Sequence, residues 1–266
     1  MRTRLGKKLK AAYGKLEAGR AYPLDEAINL VKGNAAAKFD ETMEIAVKLG
    51  IDPKHSDQAV RGVVSLPHGT GKKMRVAVFA RDDKAEEAKA AGADVVGAEE
   101  LAEDITSGKT KIDFDRVIAT PDMMAVVGKL GKELGPKGLM PNPKLGTVAA
   151  DVTQAVKDAK GGQIQFRSDA GGVVHGGIGK VSFGGAQLGE NAKRFLQAIS
   201  QARPSTAKGV FIRKISVAST MGAGVMVDAG TIHAGGQSGG QAGGQSNGQA
   251  SGQAKADAPA AVGGEE

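Results

Sequence analysis

Side chains able to do acid–base, nucleophilic or metal chemistry are present, but their spacing does not assemble them. His55, His68, His175 and His233 lie far apart, so no helix can turn two imidazoles towards one metal ion. There is no cysteine, which excludes thiolate nucleophiles, thiolate metal sites and disulfides and fits a reducing compartment. Gly69-Thr70-Gly71-Lys72-Lys73 looks like the end of a phosphate-binding loop. That loop needs a glycine where Leu66 stands and a hydroxyl side chain where Lys73 stands. The run from Gly176 to Lys180 fails in the same way, because Val181 follows the lysine. The pairs Asp82-Asp83, Glu86-Glu87 and Glu99-Glu100 fall in helix-forming segments and read as solvated faces. The strand before Arg81-Asp82-Asp83-Lys84 lacks the Gly-rich turn that cradles a pyrophosphate. The expectation is a protein that is not an enzyme, with no catalytic residue, metal or cofactor.

Groups suited to binding remain. The stretch 134–148, LGPKGLMPNPKLGTV, is stiff, basic and bears Leu139 and Met140. It reads either as an RNA-contacting loop or as a rigid connector. The stretch 219–227, STMGAGVMV, combines a hydroxyl at Thr220, an adaptable apolar group at Met221 and an open backbone at Gly222, groups that suit RNA read by shape. The net charge of +7 is sorted along the chain. Residues 1–70 carry about +4 and 160–231 about +6, whereas 72–159 are close to neutral and 232–266 are slightly acidic. If the two basic segments come together, one domain is strongly cationic, the electrostatic footprint of a polyanion partner.

The elements that would position these groups can be read from periodicity. An N-terminal helix with Leu5, Leu9, Ala12, Tyr13 and Leu16 on one stripe is expected, then a second after Pro23 with Ala27, Ile28 and Val31 inward. Residues 42–49 alternate as a half-buried strand, with Thr42 and Glu44 on the wet face. A further strand is expected at 60–66. From Met74 the pattern becomes strand–helix alternation: strands at 75–80, 93–97 and 114–120, helices at 82–92, 98–108 and 151–160, and one helix from Thr120-Pro121 to Leu134 with Thr120 as its N-cap. Such alternation implies a parallel sheet covered on both faces. Residues 163–169 and 173–183 read as a hairpin, 190–203 as a helix ended by Pro204, and 210–217 as a strand with a bulge near Arg213-Lys214.

The fold class is therefore α+β with α/β, in two domains. Residues 1–70 plus 160–231 form a discontinuous α+β domain with a mainly antiparallel sheet, the expected RNA-binding domain. Residues 71–159 form an inserted Rossmann-like α/β domain with a parallel sheet. Gly69, Gly71, Gly161 and Gly162 sit at the two crossings and are candidate hinge positions. The Gly/Gln-rich tail, 232–266, cannot bury a core and is expected to be disordered. No apolar run reaches a membrane span, so a cytoplasmic protein is expected.

Several stretches in order, KFDETMEIAVKLGIDPKHSDQAVRGVVSLPHGTGK at 38–72, ATPDMM at 119–124, LGPKGLMPNPKLGTV at 134–148 and STMG at 219–222, resemble the family of the bacterial large-subunit ribosomal protein one. The resemblance runs from about residue 1 to 230; the tail departs from it. It implies a structural constituent of the large ribosomal subunit that binds stalk ribosomal RNA. It also implies help in releasing deacylated tRNA from the exit site, and translational repression of the protein's own operon mRNA. The implied state of the free protein is a monomer. Carried to matching positions, the implied RNA-binding residues are Lys38, Phe39, Thr42, Glu44, Thr220, Met221 and Gly222. Phe39 shares the inward phase of Met43 if the alternation is extended backwards, so a core role competes with RNA contact.

Overall fold

The computed structural model describes residues 6–17, 19–109 and 111–230. The Gly/Gln-rich segment at 232–266, His233 and Leu5 lie outside the described residues.

In chain order, helices α1 (Lys7–Gly14) and α2 (Leu24–Asn34) lead into strands β1 (Thr42–Leu49) and β2 (Arg61–Ser65). The inserted part follows: β3 (Val76–Phe79), α3 (Asp82–Ala90), β4 (Val95–Gly97), α4 (Glu99–Thr106), β5 (Arg116–Ala119), α5 (Met124–Lys129), α6 (Gly131–Leu134) and α7 (Val152–Lys160). The chain then returns through β6 (Gln163–Arg167), β7 (Val173–Lys180), α8 (Gly185–Gln201), β8 (Ile212–Ser219) and β9 (Val225–Val227).

Both chain ends build one core. The antiparallel sheet has the order β7-β1-β8-β9. Met43, Ile45, Val47 and Leu49 of β1 are buried, as the two-residue period demands, and pack with Ile28 and Val31 of α2 and Phe195, Leu196 and Ile199 of α8. The opposite face carries the half-buried or exposed Thr42, Glu44, Ala46 and Lys48. The β2–β6 pair adds Val64, Leu66 and Phe166 to the same core, where Phe166 meets Phe195 edge to face at 5.7 Å. Residues of the two basic segments thus share one hydrophobic core.

The inserted sheet is parallel, with the order β4-β3-β5. Every residue of β3 and β5 is buried. Val76, Val78 and Ile118 face α7 and Ala88 of α3; Ala77, Phe79, Val117 and Ala119 face α4 and the α5–α6 segment. The near-continuous apolar runs follow from this burial on both sides.

Four local readings are corrected. The segments expected as a hairpin do form a turn, closed by Asp169 N to Val173 O at 2.9 Å and a Ser168–Val174 bridge, but their strands take other partners, β6 with β2 and β7 with β1. The helix expected to run from Thr120 to Leu134 is a 3-10 turn at Pro121–Met123 followed by α5 and α6, which break at Leu130. Thr120 makes no side-chain capping bond; it is buried and its N–H donates to Phe79 O. The last strand, β9, emerges from a stretch read as loop because three residues are too short to show a period. The bulge near Arg213 is present: Lys48 faces Lys214 and Leu49 faces Ile212, leaving Arg213 unpaired.

The crossings are packed together. Asn191 of α8, fully buried, accepts from His68 N at 3.2 Å and donates to Gly69 O at 3.0 Å and Ile178 O at 2.8 Å. Arg116 of β5 donates to Gln163 Oε1 at 2.8 Å and to Gln163 O at 2.5 Å. Lys72 pairs with Asp115 at 2.5 Å. Gly162, at φ +92°, lies so close to Gly69 that a Cβ there would overlap the Gly69 Cα. Gly69 and Gly71 also have positive φ, whereas Gly161 has an ordinary φ of −72°.

Candidate nucleic-acid interface

Because β1 and β8 are antiparallel, the start of one lies beside the end of the other, with Met43 opposite Ser219. Thr42 and Thr220, 178 positions apart, therefore meet. Thr42 N donates to Thr220 Oγ1 at 3.0 Å, and Thr220 N donates to Thr42 O at 3.1 Å. Thr220 Oγ1 also directs its proton to Thr42 O at 3.2 Å. On the other side β7 supplies Lys180, whose Nζ donates to Thr42 Oγ1 at 2.9 Å. These bonds assign polarity. Thr220 Oγ1 has spent its proton and retains acceptor capacity, which suits a 2′-hydroxyl donor. Thr42 Oγ1 has accepted once and keeps its proton for a phosphate or ribose oxygen.

Glu41 holds this patch together. It is 2% exposed. Oε1 accepts from Ala37 N at 2.9 Å and Oε2 from Met221 N at 3.0 Å. One carboxylate thereby ties the loop before β1 to the turn after β8. Burial alone would push its pKa up; the Met221 N–H, the Ser219 hydroxyl and the N–H groups of Ala37 and Ala36 together outweigh that and hold it below the ordinary glutamate value. The turn closes through Gly222 N to Ser219 O at 3.1 Å. A Cβ on Gly222 would overlap Ser219 Oγ, so any larger residue requires that hydroxyl to turn away.

The carried-over residues can now be placed. Lys38 is exposed, and Lys8 of α1 donates to the nearby Ala36 O at 3.1 Å. Phe39 is 57% exposed, so it is not a core residue. The alternation does not extend back to it because β1 begins at Thr42 and Asp40 turns aside to bond Ser182, its Oδ2 accepting from Ser182 Oγ at 2.8 Å. Met221 is 67% exposed. Glu44 points outward between Ala218 and Gly177, two neighbours too small to cover it. All seven positions thus lie at or next to one end of the β7-β1-β8 face. Gly69, Gly71, Gly161 and Gly162 lie at the crossings; Gly71 borders the patch, since a Cβ there would come within 2.9 Å of Lys180 Cγ.

Sequence reasoning missed two members. Glu41 carried a signal, since a carboxylate in the inward phase of β1 must find buried donors. Lys180 carried none; only the pairing of Thr42 with Lys180 brings it in. The patch is an open surface of donors and acceptors with exposed apolar groups. Among the described residues no group of three or more His, Asp or Glu could hold a metal ion, and no helix is long and apolar enough to cross a membrane. Compared with known families, residues 31–223 match the model of the ribosomal protein L1p/L10e family.

Proposed function

This chain belongs to the ribosomal protein L1p/L10e family and is an RNA-binding structural constituent of the large ribosomal subunit, in a non-enzymatic class; from that premise we propose that it grips stalk ribosomal RNA with the patch around Thr42 and Thr220. Lys38 and Lys180 supply salt-dependent attraction to phosphates. Phe39 and Met221 offer apolar contact to ribose or base. Thr42, Glu44, Thr220 and the Gly222 backbone read shape through 2′-hydroxyls. The discontinuous domain, residues 1–70 plus 160–231, holds the RNA. The insert, 71–159, swings about the crossings at 69–71 and 161–162 as the stalk releases deacylated tRNA from the exit site. The same patch binds the protein's own operon mRNA and represses its translation. The protein works on cytoplasmic ribosomes and is a monomer when free.

The observation that carries this reading is the hydrogen-bonded meeting of Thr42 and Thr220 on an otherwise open, cation-flanked surface. Thr220→Val keeps the side-chain shape but removes the hydroxyl, both as an acceptor for RNA and as the partner of Thr42 N and Thr42 O. It is expected to weaken binding to a stalk RNA fragment by about tenfold, corresponding to about 1.4 kcal/mol, with Thr220→Ser restoring it. Unchanged affinity of the folded valine variant in a filter-binding titration rejects the site. A leader fragment of the operon mRNA should compete with the stalk fragment. Independent, simultaneous binding of the two rejects the repression mechanism.

A further inference from the structure

The opposite end of the β1–β8 pair carries a second cluster that the Thr42–Thr220 patch does not use. The bulge leaves Arg213 out of the ladder, and a bulge re-aims the side chain it displaces. Arg213 and Lys214 are exposed, as is Lys208, and among the described residues none of the three has an ion-pair partner. Arg213 lies over Gly50. A Cβ at Gly50 would come within 3.1 Å of Arg213 Nε and overlap Val210 O, so the missing side chain lets the guanidinium rest against the strand end. A cavity of ≈ 410 Å³ opens there, lined by Arg213, Lys208, Thr206, Gln58 and Asp52.

The lining is rich in unspent donors. Gln58 uses its Oε1 to accept from Asp52 N at 2.9 Å, which leaves its amide N–H groups available. Asp52, the one acidic member, is turned to its own loop, where Oδ1 accepts from Lys54 N at 3.1 Å. The planar fork of an arginine, an ammonium, an amide and a hydroxyl around a polar opening match an oxyanion with several acceptor oxygens. With two cations against one carboxylate, the site is too weakly charged and too open to retain a free ion against water. A phosphate on a polymer already held elsewhere binds there at high effective concentration.

We infer that this cavity is a second RNA-phosphate site, which takes a backbone phosphodiester of the same RNA chain that occupies the Thr42–Thr220 patch. Seven residue steps of β1 separate the two ends, roughly 24 Å at the antiparallel rise. The protein then measures a spacing along the RNA as well as reading a local shape, because a phosphate contact fixes register. The inference rests on the RNA reading above, and its test separates the two.

The probe is a full-length large-subunit ribosomal RNA transcript, titrated with the full chain at several salt concentrations. Arg213→Gln with Lys208→Gln should weaken binding several-fold and make the slope of log K against log salt shallower by about one phosphate contact. Thr220→Val should weaken binding with the slope unchanged. If the double variant keeps the affinity and slope of the parent while Thr220→Val is weakened, the second site is rejected and the RNA reading stands. If the parent itself fails to bind, both fall. Inorganic phosphate, followed by amide shifts at Gln58, should bind only in the millimolar range and be displaced by the RNA. Tight phosphate binding that the RNA does not displace makes this a small-anion site and overturns the inference. Should the double variant misfold, crosslinking of the unmodified complex decides: crosslinks within 204–213 support the site and their absence rejects it.

Discussion

Replacing Glu41 by Gln changes one atom in a side chain that two loops share. In the parent, one oxygen takes the N–H of Ala37 and the other the N–H of Met221. A glutamine has one acceptor oxygen. Whichever way the amide is turned, its NH₂ faces a backbone N–H about 3 Å away, and one of the two loops loses its anchor. A hydrogen bond to a charged group contributes about 1.5–3 kcal/mol, and the Glu41 side chain is shielded from solvent. If the loss appears as disorder of the patch, RNA affinity drops by about 10–150-fold. The pH dependence gives a second signature. The folded pKa of Glu41 lies below its ordinary value of 4.5. Its stabilisation is therefore present above the unfolded value and is lost as pH falls through the folded one. Urea unfolding at pH 7 should show the variant less stable, and the gap should shrink as pH falls below about 4.5. Equal stability at pH 7, or a gap that widens on acidification, refutes the bridging role of Glu41.

Asn191→Leu removes three hydrogen bonds between a buried side chain and the backbone, two of them at the crossing, to His68 N and Gly69 O. It should cost about 3 kcal/mol and speed hydrogen exchange at the His68 amide; unchanged exchange counts against the anchor. Arg116→Met leaves the Gln163 carbonyl without its cation. Fluorescence transfer between labels on the two domains should broaden, and an unaltered distribution denies the contact a restraining role. Gly176→Val places a Cβ 2.5 Å from Phe195 Cζ and should cost about 1–3 kcal/mol by overpacking, read as a lower urea midpoint; a neutral result means that Phe195 can move aside.

The sequence by itself determined the two-domain α+β and α/β class, because hydrophobic period is a local property. Met43 to Leu49 alternate and are buried on one side; Val76 to Phe79 are a continuous apolar run and are buried on both. The bulge at Arg213 was legible for the same reason, as a slip of phase within one strand. Glu41 was legible in principle, since its phase points a charge inward. Tertiary structure alone decided what lies beside what. The partners of β6 and β7, the contact of Thr42 with Thr220 across 178 residues, the place of Lys180 and the seating of Arg213 over Gly50 all depend on strand order. Strand order is set by how the whole core closes, and no local periodicity encodes it. Phe39 shows the boundary between the two: alternation extended backwards would bury it, but the bonds of Asp40 to Ser182 turn the chain before β1 begins and leave the ring in solvent.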